Sequence, residues 1–230
     1  MSTGENRNAL VVWGGWDGHE PERAVALFLP FLAESGFTVR VETSFEVYTD
    51  EEVMGAADLI VQCVTDGKAT GEQVGGLVRA VAAGTGLAGW HGGLVDSLRA
   101  DTDYQFLTGG QFVAHPGDII DYTVEIAPGH QDHPIVAGIG DFTVTTEQYY
   151  LHFDPANQVL ATTTFTHPTQ PPEVTGAVMP VVWTRRWGHG RVFASTLGHS
   201  VADLEVPQVN EITRRGLVWA ARQEPEQGAR

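Results

Sequence analysis

Strand and helix patterns alternate through the first hundred residues, and this alternation limits the folds that the chain can adopt. Apolar runs at Ala9–Trp13 and within Asp58–Cys63 predict strands that are buried on both faces, and Phe37–Val41 is predicted as a strand between them. Segments with helical spacing of apolar residues intervene and end at Gly36 and Gly84. A repeated strand–helix–strand order predicts an α/β fold with a parallel sheet and crossover helices.

The second half of the chain has a different pattern, in which predicted strands follow one another without long helices. Several of these strands are expected to run antiparallel and to extend the sheet. A closing helix is predicted over Glu205–Ala221, and no linker or repeat interrupts the sequence, so residues 1–230 are expected to form one domain with a core at about 9–221. The predicted strands are Ile119–Ala127, Phe142–Tyr149, Gln158–Thr164, Val178–Thr184 and Arg191–Thr196.

The charge balance argues against polyanionic partners. The chain has 230 residues, with 13 basic and 29 acidic side chains and a formal net charge of -16. Such a surface repels phosphate backbones and anionic lipids, so neither nucleic acid nor a membrane is an expected partner. The single cysteine, Cys63, excludes an internal disulfide, and the polar segment Met1–Asn8 shows no secretory signal. A cytoplasmic location is therefore expected.

The most informative local motif is the glycine-rich segment Gly86–Gly93, which predicts a short buried strand followed by a tight turn. Such elbows lift one side chain above the carboxyl edge of a parallel sheet, where open α/β folds place their sites. The residue at the apex is His91, where enzymes built this way usually have a serine or cysteine nucleophile. The flanking glycines permit close approach of a ligand. The alternative is that the turn only packs an imidazole.

Histidines and a carboxylate near other strand ends are the further candidates for chemistry. His199 follows the apolar strand that begins at Val192, and Glu147 lies in a predicted strand of the second half. An imidazole titrates near pH about 6.5, so His91 and His199 are the predicted acid and base, with Glu147 assisting. Each of them could instead be an ordinary turn or strand residue.

Aromatic and polar side chains near these positions are candidates for binding a sugar. Flat aromatic faces stack on sugar rings, and carboxylates accept hydroxyl protons. The alternative is that the tryptophans belong to the core and that Glu20 only complements a helix dipole. The predicted substrate-binding residues are Trp13, Asp17, His19, Glu20, Trp90, His115 and Tyr149.

Nine histidines make a metal site worth considering. Zinc prefers three or four histidine, cysteine or carboxylate ligands, but the sequence has neither a His-Glu-x-x-His helix nor a cysteine pair. No cofactor is therefore certain from the sequence. A site for a divalent metal such as zinc remains open, with ligands drawn from distant parts of the chain: His19, His91, His115, His199 and Glu147.

An ordered set of motifs spans nearly the whole chain and resembles the trehalose-utilisation (ThuA-like) family, which is similar in fold to class I glutamine amidotransferases. Single motifs are weak signals, but their order from about residue 9 to residue 221 is more specific. The matching pieces are His19-Glu20, Gly89–Gly92, Asp132–Ile135, Glu147–Tyr150, Pro180–Gly188, Gly190–Phe193 and Leu197–His199.

The resemblance implies a flavodoxin-like three-layer sandwich. It places His91 where an amidotransferase has its nucleophilic cysteine, and His199 near the catalytic histidine of that fold. Without a thiol no glutamyl thioester forms, so no glutaminase activity is expected. The family is linked to the catabolism of trehalose and related disaccharides, through 3-keto sugars made by partner dehydrogenases.

Three functions remain open at this stage. The leading hypothesis is a carbohydrate-processing hydrolase or lyase that acts on a sugar or 3-keto sugar by histidine acid/base chemistry. The second is a non-catalytic sugar-binding or regulatory protein on an amidotransferase-like scaffold. The third is a metal-dependent hydrolase. A homo-oligomer is a family-level expectation, and three aromatic residues could form a subunit contact or belong to the core: Tyr150, Phe165 and Trp187.

Overall fold

The computed structural model describes residues 7–223, and strands and helices alternate through its first half as predicted. The segment Met1–Asn8, on which the expected lack of a secretory signal rests, lies outside the described residues except for its last two. The elements of this half are β1 Arg7–Gly15, α1 Pro21–Glu34, β2 Phe37–Glu42, α2 Glu51–Ala56, β3 Leu59–Thr65, α3 Gly71–Ala82, β4 Gly86–Trp90, α4 His91–Val95 and α5 Thr102–Thr108.

The second half is built mainly from strands and ends in a helix. All five predicted strands are present, within a few residues of their expected bounds. Short 3-10 helices, three to five residues long, occur at Asp17–His19, Phe45–Thr49 and Pro172–Val174. The elements of this half are β5 Gly110–Ala114, β6 Ile119–Ile126, β7 Phe142–Glu147, β8 Tyr150–Phe153, β9 Gln158–Thr164, β10 Val178–Trp187, β11 Gly190–Ser195, α6 Val201–Leu204 and α7 Pro207–Ala220.

Nine strands form one mixed sheet in the order β2-β1-β3-β4-β11-β10-β9-β6-β7. Neighbouring strands from β2 to β11 are parallel, and neighbouring strands from β11 to β7 are antiparallel. A separate antiparallel pair joins β5 to β8. The predicted α/β sandwich, with a parallel first half and antiparallel additions, is confirmed.

Apolar side chains cover both faces of the sheet. In β1, Ala9 and Val11 belong to one apolar cluster, and Leu10 and Val12 belong to a second. Successive side chains of a strand point to opposite faces, so the two clusters lie on opposite sides of the sheet. Residues of α1 and α7 complete the first cluster, and residues of α3 complete the second. Helices therefore form a layer on each face.

Local elements differ from the prediction in two places. The predicted strand Phe142–Tyr149 stops at Glu147, and a new strand begins at Tyr150 to pair with β5. The closing helix begins at Pro207, after the separate short helix α6.

The three aromatic residues considered for a subunit contact have different environments. Phe165 is completely buried and packs in the second apolar cluster, so it is a core residue. Tyr150 and Trp187 are half-buried and pack against the same cluster. None of the helices within residues 7–223 combines the length and the apolar character that crossing a membrane requires.

Two adjacent glycines of α3 provide a test of the packing. A Cβ on Gly76 would lie 1.9 Å from the carbonyl oxygen of Tyr48, whereas one on Gly75 would meet only the flexible end of Arg79 at 3.0 Å. Alanine is a better helix former than glycine by about 0.5–1 kcal/mol. We expect Gly75→Ala to preserve or slightly raise the free energy of unfolding. We expect Gly76→Ala to lower it by about 1–3 kcal/mol, because backbone must shift.

Urea denaturation of the two variants measures this difference directly. Gly75→Ala is the matched control, since it makes the same substitution one position away in the same helix. Equal midpoints for both variants would contradict the close packing of α3 against the 3-10 helix Phe45–Thr49.

Candidate active site

Three histidines follow the carboxyl ends of three parallel strands, and the sheet brings them to one edge. His19 ends the 3-10 helix after β1, His91 opens α4 directly after β4, and His199 follows β11. Their ring centroids lie 4.7 Å apart for His19 and His91, 5.0 Å for His19 and His199, and 5.4 Å for His91 and His199. The two imidazoles predicted as acid and base therefore lie in one group with a third.

Glu147, the last residue of β7, brings a carboxylate to the three histidines. Its Oε2 lies 3.1 Å from Nε2 of His91 and 3.3 Å from Nδ1 of His199. One potential ligand atom from each of the four residues lies within 4.8 Å of the others. We call His19, His91, Glu147 and His199 the four-residue cluster.

The backbone at the elbow explains how His91 reaches this position. His91 has a φ of 47°, in the left-handed region that is unfavourable for a residue with a side chain. The glycines that follow allow unusually close packing. A Cβ on Gly92 would lie 2.6 Å from Cε1 of His19, and one on Gly93 would lie 2.8 Å from Cα of Cys63. These two glycines therefore allow close approach between protein segments.

The hydrogen bonds of His91 determine which of its nitrogens carries a proton. Nδ1 lies 2.7 Å from the carbonyl oxygen of Thr196 and donates to it, because a carbonyl only accepts. The hydroxyl of Tyr149 lies 2.7 Å from Nε2 and can donate to its lone pair. The same Nε2 faces the Glu147 carboxylate. The lone pair of His91 Nε2 and the carboxylate oxygen of Glu147 therefore repel each other unless a proton or another cation lies between them.

The other two imidazoles also present a nitrogen to the centre of the cluster. Nδ1 of His19 bonds with Oγ1 of Thr65 at 2.8 Å, which leaves Nε2 as the available nitrogen. Nδ1 of His199 is buried, and among residues 7–223 it has no hydrogen-bond partner, although Glu147 is near. A buried polar atom without a hydrogen-bond partner is unfavourable, so this nitrogen is available to a ligand at the centre of the cluster.

Burial and neighbouring charges set the protonation states of the cluster. Burial, aided by His91 and His199, lowers the pKa of His19 to about 3. Burial also lowers the pKa of His91, against the opposing effect of Glu147. Burial acts to raise the pKa of Glu147, but His199 and His91 outweigh it and hold that pKa well below its ordinary value. His19 and His91 are therefore neutral at pH 7, and Glu147 is charged.

His199 behaves differently because its interaction with Glu147 outweighs the effect of burial. Its interaction with Glu147 raises its pKa above the ordinary value, against the opposing effect of burial. Its side chain is 22% exposed, compared with 1% for His91. Of the two predicted acid/base residues, His199 is thus the one with access to solvent.

The donor set fits a divalent transition metal. Three imidazole nitrogens and one carboxylate oxygen are ligands that zinc prefers, with bonds of about 2.0–2.2 Å. Donors around one tetrahedral ion with such bonds lie roughly 3.4 Å apart, so the four donors, which lie within 4.8 Å of one another, would move closer together on binding an ion. Ligating histidines usually donate their other nitrogen to a carbonyl or similar acceptor. His91 does so to Thr196, and His19 contacts Thr65 in the corresponding position.

A small cleft opens beside the cluster. Its volume is 200 Å³, below the about 300–1,000 Å³ that is typical of drug-sized ligands, so it suits a ligand the size of one sugar ring. His115 lies on its wall, with Nε2 3.6 Å from Oε1 of Glu147. The lining residues are Trp16, His19, Thr65, Asp66, Asp96, Arg99, Phe112, His115, Glu147 and Tyr149.

Backbone strain is concentrated around this cleft. Among residues 7–223, four non-glycine residues have a positive φ: Glu20, Asp66, His91 and Asp118. Glu20 follows His19, Asp66 lines the cleft, and Asp118 lies 3.3 Å from Nδ1 of His115. Such conformations cost about 1–3 kcal/mol each and gather at functional sites. Their distribution therefore marks this edge of the sheet as a candidate functional site.

Two predicted sugar-binding tryptophans belong to the core instead. Trp90 is 1% exposed, and its ring lies 5.1 Å from that of Phe28. Trp13 is half-buried and packs against the same apolar cluster. Neither lines the cleft, which corrects the expectation that they face a ligand. Both lie in strands covered on two faces, where a large aromatic side chain contributes to packing.

Two predicted carboxylates also lie outside the cleft lining. Asp17 is exposed on the 3-10 helix. The Glu20 carboxylate accepts from the backbone N–H of Val201 at 3.1 Å and pairs with Arg23, so it ties α1 to α6. By contrast, His19, His115 and Tyr149 line the cleft.

Several lining residues are not among the predicted substrate-binding residues. Asp96 and Arg99 form an ion pair shortly after the elbow, and Arg99 lies 5.5 Å from the centre of the Phe112 ring. Trp16 is 54% exposed, with its ring edge-on to His19 at 4.7 Å. Asp96 and Arg99 could have been identified from the sequence, because they follow the elbow closely. No sequence feature pointed to Phe112, because its strand was not predicted.

The comparisons with known proteins agree with this architecture. A family model described as ThuA, trehalose utilisation, matches residues 8–220. A ThuA-like protein from Bacteroides uniformis is 17% identical, with a TM-score of 0.76 over 96% of this chain and 93% of that chain. A ThuA-like protein from Parabacteroides merdae is 15% identical, with a TM-score of 0.69 over 97% and 94%. A cytoplasmic protein from Salmonella typhimurium LT2 is 13% identical, with a TM-score of 0.65 over 94% and 100%.

These similarities differ in what they establish. The structural neighbours share too little sequence to show more than the fold. None of the curated proteins compared with the chain is similar enough in sequence to count as a match. The family model covers nearly the whole chain, and the chain therefore belongs to the ThuA family.

Proposed function

We propose that this ThuA family protein is a carbohydrate-processing enzyme whose four-residue cluster binds a divalent cation, with zinc as the first candidate. The observation that carries the proposal is the convergence of three imidazoles and one carboxylate, with a buried nitrogen of His199 left without a partner among residues 7–223. The family description supports a role in carbohydrate metabolism.

The residues of the cluster act as ligands in this proposal. Nε2 of His91, Nε2 of His19, Nδ1 of His199 and one Glu147 oxygen would hold the ion. A cation bound there can polarise a carbonyl or hydroxyl oxygen of the substrate. A cation held at Nε2 of His91 would take the place of the Tyr149 hydroxyl, which would then be free to donate to a sugar oxygen in the cleft.

Groups that face the cleft supply the proton transfers. His91 is too buried to reach a substrate, so we assign it to the metal rather than to acid/base chemistry. The His115 side chain is 35% exposed and stands beside Glu147. It is the candidate base, while Tyr149 is positioned to donate.

The proposed substrate is a 3-keto glycoside or a related sugar. The carbonyl of such a compound acidifies the neighbouring C–H group. A base takes that proton, a carbon–carbon double bond forms as the glycosidic C–O bond breaks, and an acid protonates the leaving oxygen. A sugar dehydrogenase would supply the keto group in an earlier reaction, in the cytoplasm. The lack of a thiol at His91 predicts no glutaminase activity.

A metal-free mechanism is the second candidate, because His199 combines solvent access with a raised pKa. In that case His199 acts as the acid, with Glu147 orienting it, and no cation occupies the cluster. The two candidates involve the same four-residue cluster but assign the proton transfers to different residues, and they differ in their response to chelation.

The deciding experiment combines metal analysis with a substrate screen. We expect the purified protein to contain about one equivalent of zinc or a similar metal by elemental analysis. We expect product formation from oxidised disaccharides, followed by mass spectrometry, to stop after chelation and to return with added metal. Zinc at 100 times its dissociation constant should stabilise the metal-free protein by about 2.7 kcal/mol, seen as a higher Tm.

The histidine His152 provides the matched control, because it is exposed on β8 and does not line the cleft. His152→Ala should retain both metal and turnover. Turnover that survives chelation would favour the metal-free mechanism. Sugar binding in calorimetry without any product would overturn both mechanisms in favour of a binding protein.

A further inference from the structure

A second cavity lies at the opposite edge of the sheet from the four-residue cluster. It has a volume of 620 Å³, and Arg7 and Arg191 on its wall stand at the beginnings of β1 and β11. Those two strands run in the same direction as β4, and the cluster lies at their far ends. The cavity is therefore separated from the proposed active site by the length of the parallel strands.

Four arginines line this cavity: Arg7, Arg191, Arg214 and Arg215. The chain has only 13 basic residues against 29 acidic ones, so almost a third of its basic residues meet at one place. Among the lining residues Glu211 is the single carboxylate, and it pairs with Arg215 at 2.7 Å. Within residues 7–223 no ion pair joins Arg7, Arg191 or Arg214 to a carboxylate.

The guanidinium groups are held in place without being saturated. Arg214 lies 4.3 Å from the centre of the Phe31 ring, and Arg191 lies 5.0 Å from that of Trp219. Arg7 donates one hydrogen bond to the carbonyl that follows α1. A guanidinium has five N–H donors, so each retains donors for a ligand. Fixed planar guanidinium groups favour bidentate recognition of phosphate.

Stabilisation of helix ends does not account for all of this charge. Arg7 and Arg191 donate to carbonyls at the carboxyl ends of α1 and α7, each equivalent to about half a negative charge. Together with Glu211 they offset only part of the charge of four guanidinium groups. An excess of positive charge therefore remains in the cavity of a protein whose net charge is -16.

Two sequence motifs that play no part in the four-residue cluster lie at this cavity. Pro134, from Asp132–Ile135, and Arg191, from Gly190–Phe193, are lining residues. The His133 ring lies 5.5 Å from that of Trp219. Burial, His130 and Arg191 together lower the pKa of His133, as expected near positive charge.

We propose that this cavity binds a small phosphorylated molecule, with Arg214 and Arg191 as the main contacts to the phosphate. Its volume lies within the about 300–1,000 Å³ typical of small-molecule sites, which leaves room for more than the phosphate itself. Trp219 and Phe31 present apolar surface to the remainder of the ligand. The site is independent of the proposed reaction at the cluster.

Calorimetry of the whole protein at low ionic strength tests the proposal with three compounds: glucose 6-phosphate, inorganic phosphate and glucose. We expect glucose 6-phosphate to bind, inorganic phosphate to bind more weakly, and glucose not to bind at this site. Arg214→Gln should weaken phosphate binding by about tenfold or more, because it removes a charge-assisted contact. Added salt should weaken it as well.

Arg79→Gln is the matched control, since Arg79 is exposed on α3 and does not line the cavity. If Arg214→Gln lowers the Tm, Arg214→Lys is tested in its place. Lysine keeps the positive charge but lacks the planar guanidinium, so a loss of affinity for glucose 6-phosphate in this variant still supports the site. Equal affinity for glucose 6-phosphate and inorganic phosphate would assign the site to the free ion. The proposal would be overturned if neither anion bound. It would also be overturned if Arg79→Gln lowered the affinity for glucose 6-phosphate as much as Arg214→Gln does.

Discussion

His91→Ala is expected to lower the affinity of the protein for zinc by more than about 100-fold and to abolish metal-dependent turnover. Loss of an outer-shell partner alone typically costs about 10–100-fold in metal affinity, and His91 would be a direct ligand. Its ring is held by the Thr196 carbonyl on one side and by Tyr149 on the other, so its Nε2 is fixed in position toward the cluster. Competition with a fluorescent zinc chelator measures the change.

Glu147→Gln provides a second test of the same centre. The substitution preserves size but removes the negative charge that lies 3.1 Å from His91 and 3.3 Å from His199. Zinc affinity should fall strongly, while the fold is retained, as judged by circular dichroism. His152→Ala is the control for both variants. Unchanged zinc affinity in His91→Ala and Glu147→Gln would show that the metal, if bound, is held elsewhere.

Trp183→Ala is expected to lower the free energy of unfolding by about 3–5 kcal/mol, the range for removing a large aromatic side chain from a core. Trp183 is completely buried in β10, and its Nε1 donates to the carbonyl of Thr108 at 2.9 Å. Gly110 packs so closely that a Cβ there would lie 2.8 Å from the Trp183 ring. Chemical denaturation, analysed for both midpoint and slope, measures the loss.

Trp16→Ala is the matched control with the opposite expectation. Trp16 is 54% exposed at the mouth of the cleft, so its removal should change stability by less than about 0.5 kcal/mol. The same substitution should weaken sugar binding, because the aromatic face beside His19 is lost. A large loss of stability in Trp16→Ala, or none in Trp183→Ala, would contradict these assignments.

The sequence predicted the edge of the sheet at which the histidines meet better than it predicted the individual contacts. His19, His91 and His199 each follow a strand of the parallel sheet, and parallel strands bring their carboxyl ends together. Trp13 and Trp90 were misassigned because one aromatic residue at a strand end can point inward or outward. Local spacing does not distinguish these orientations, and the packing against Phe28 decides the case of Trp90.

The sequence by itself determined the alternation of strands and helices, the parallel direction of the first strands and the edge at which His91 stands. These features depend on the local period of apolar residues and on the reach of short connections. Only the tertiary structure decided that Glu147 meets His91 and that Arg7 and Arg214 share a cavity. These contacts are between residues that are far apart in the chain. They depend on strand order and helix packing, which no local sequence pattern encodes.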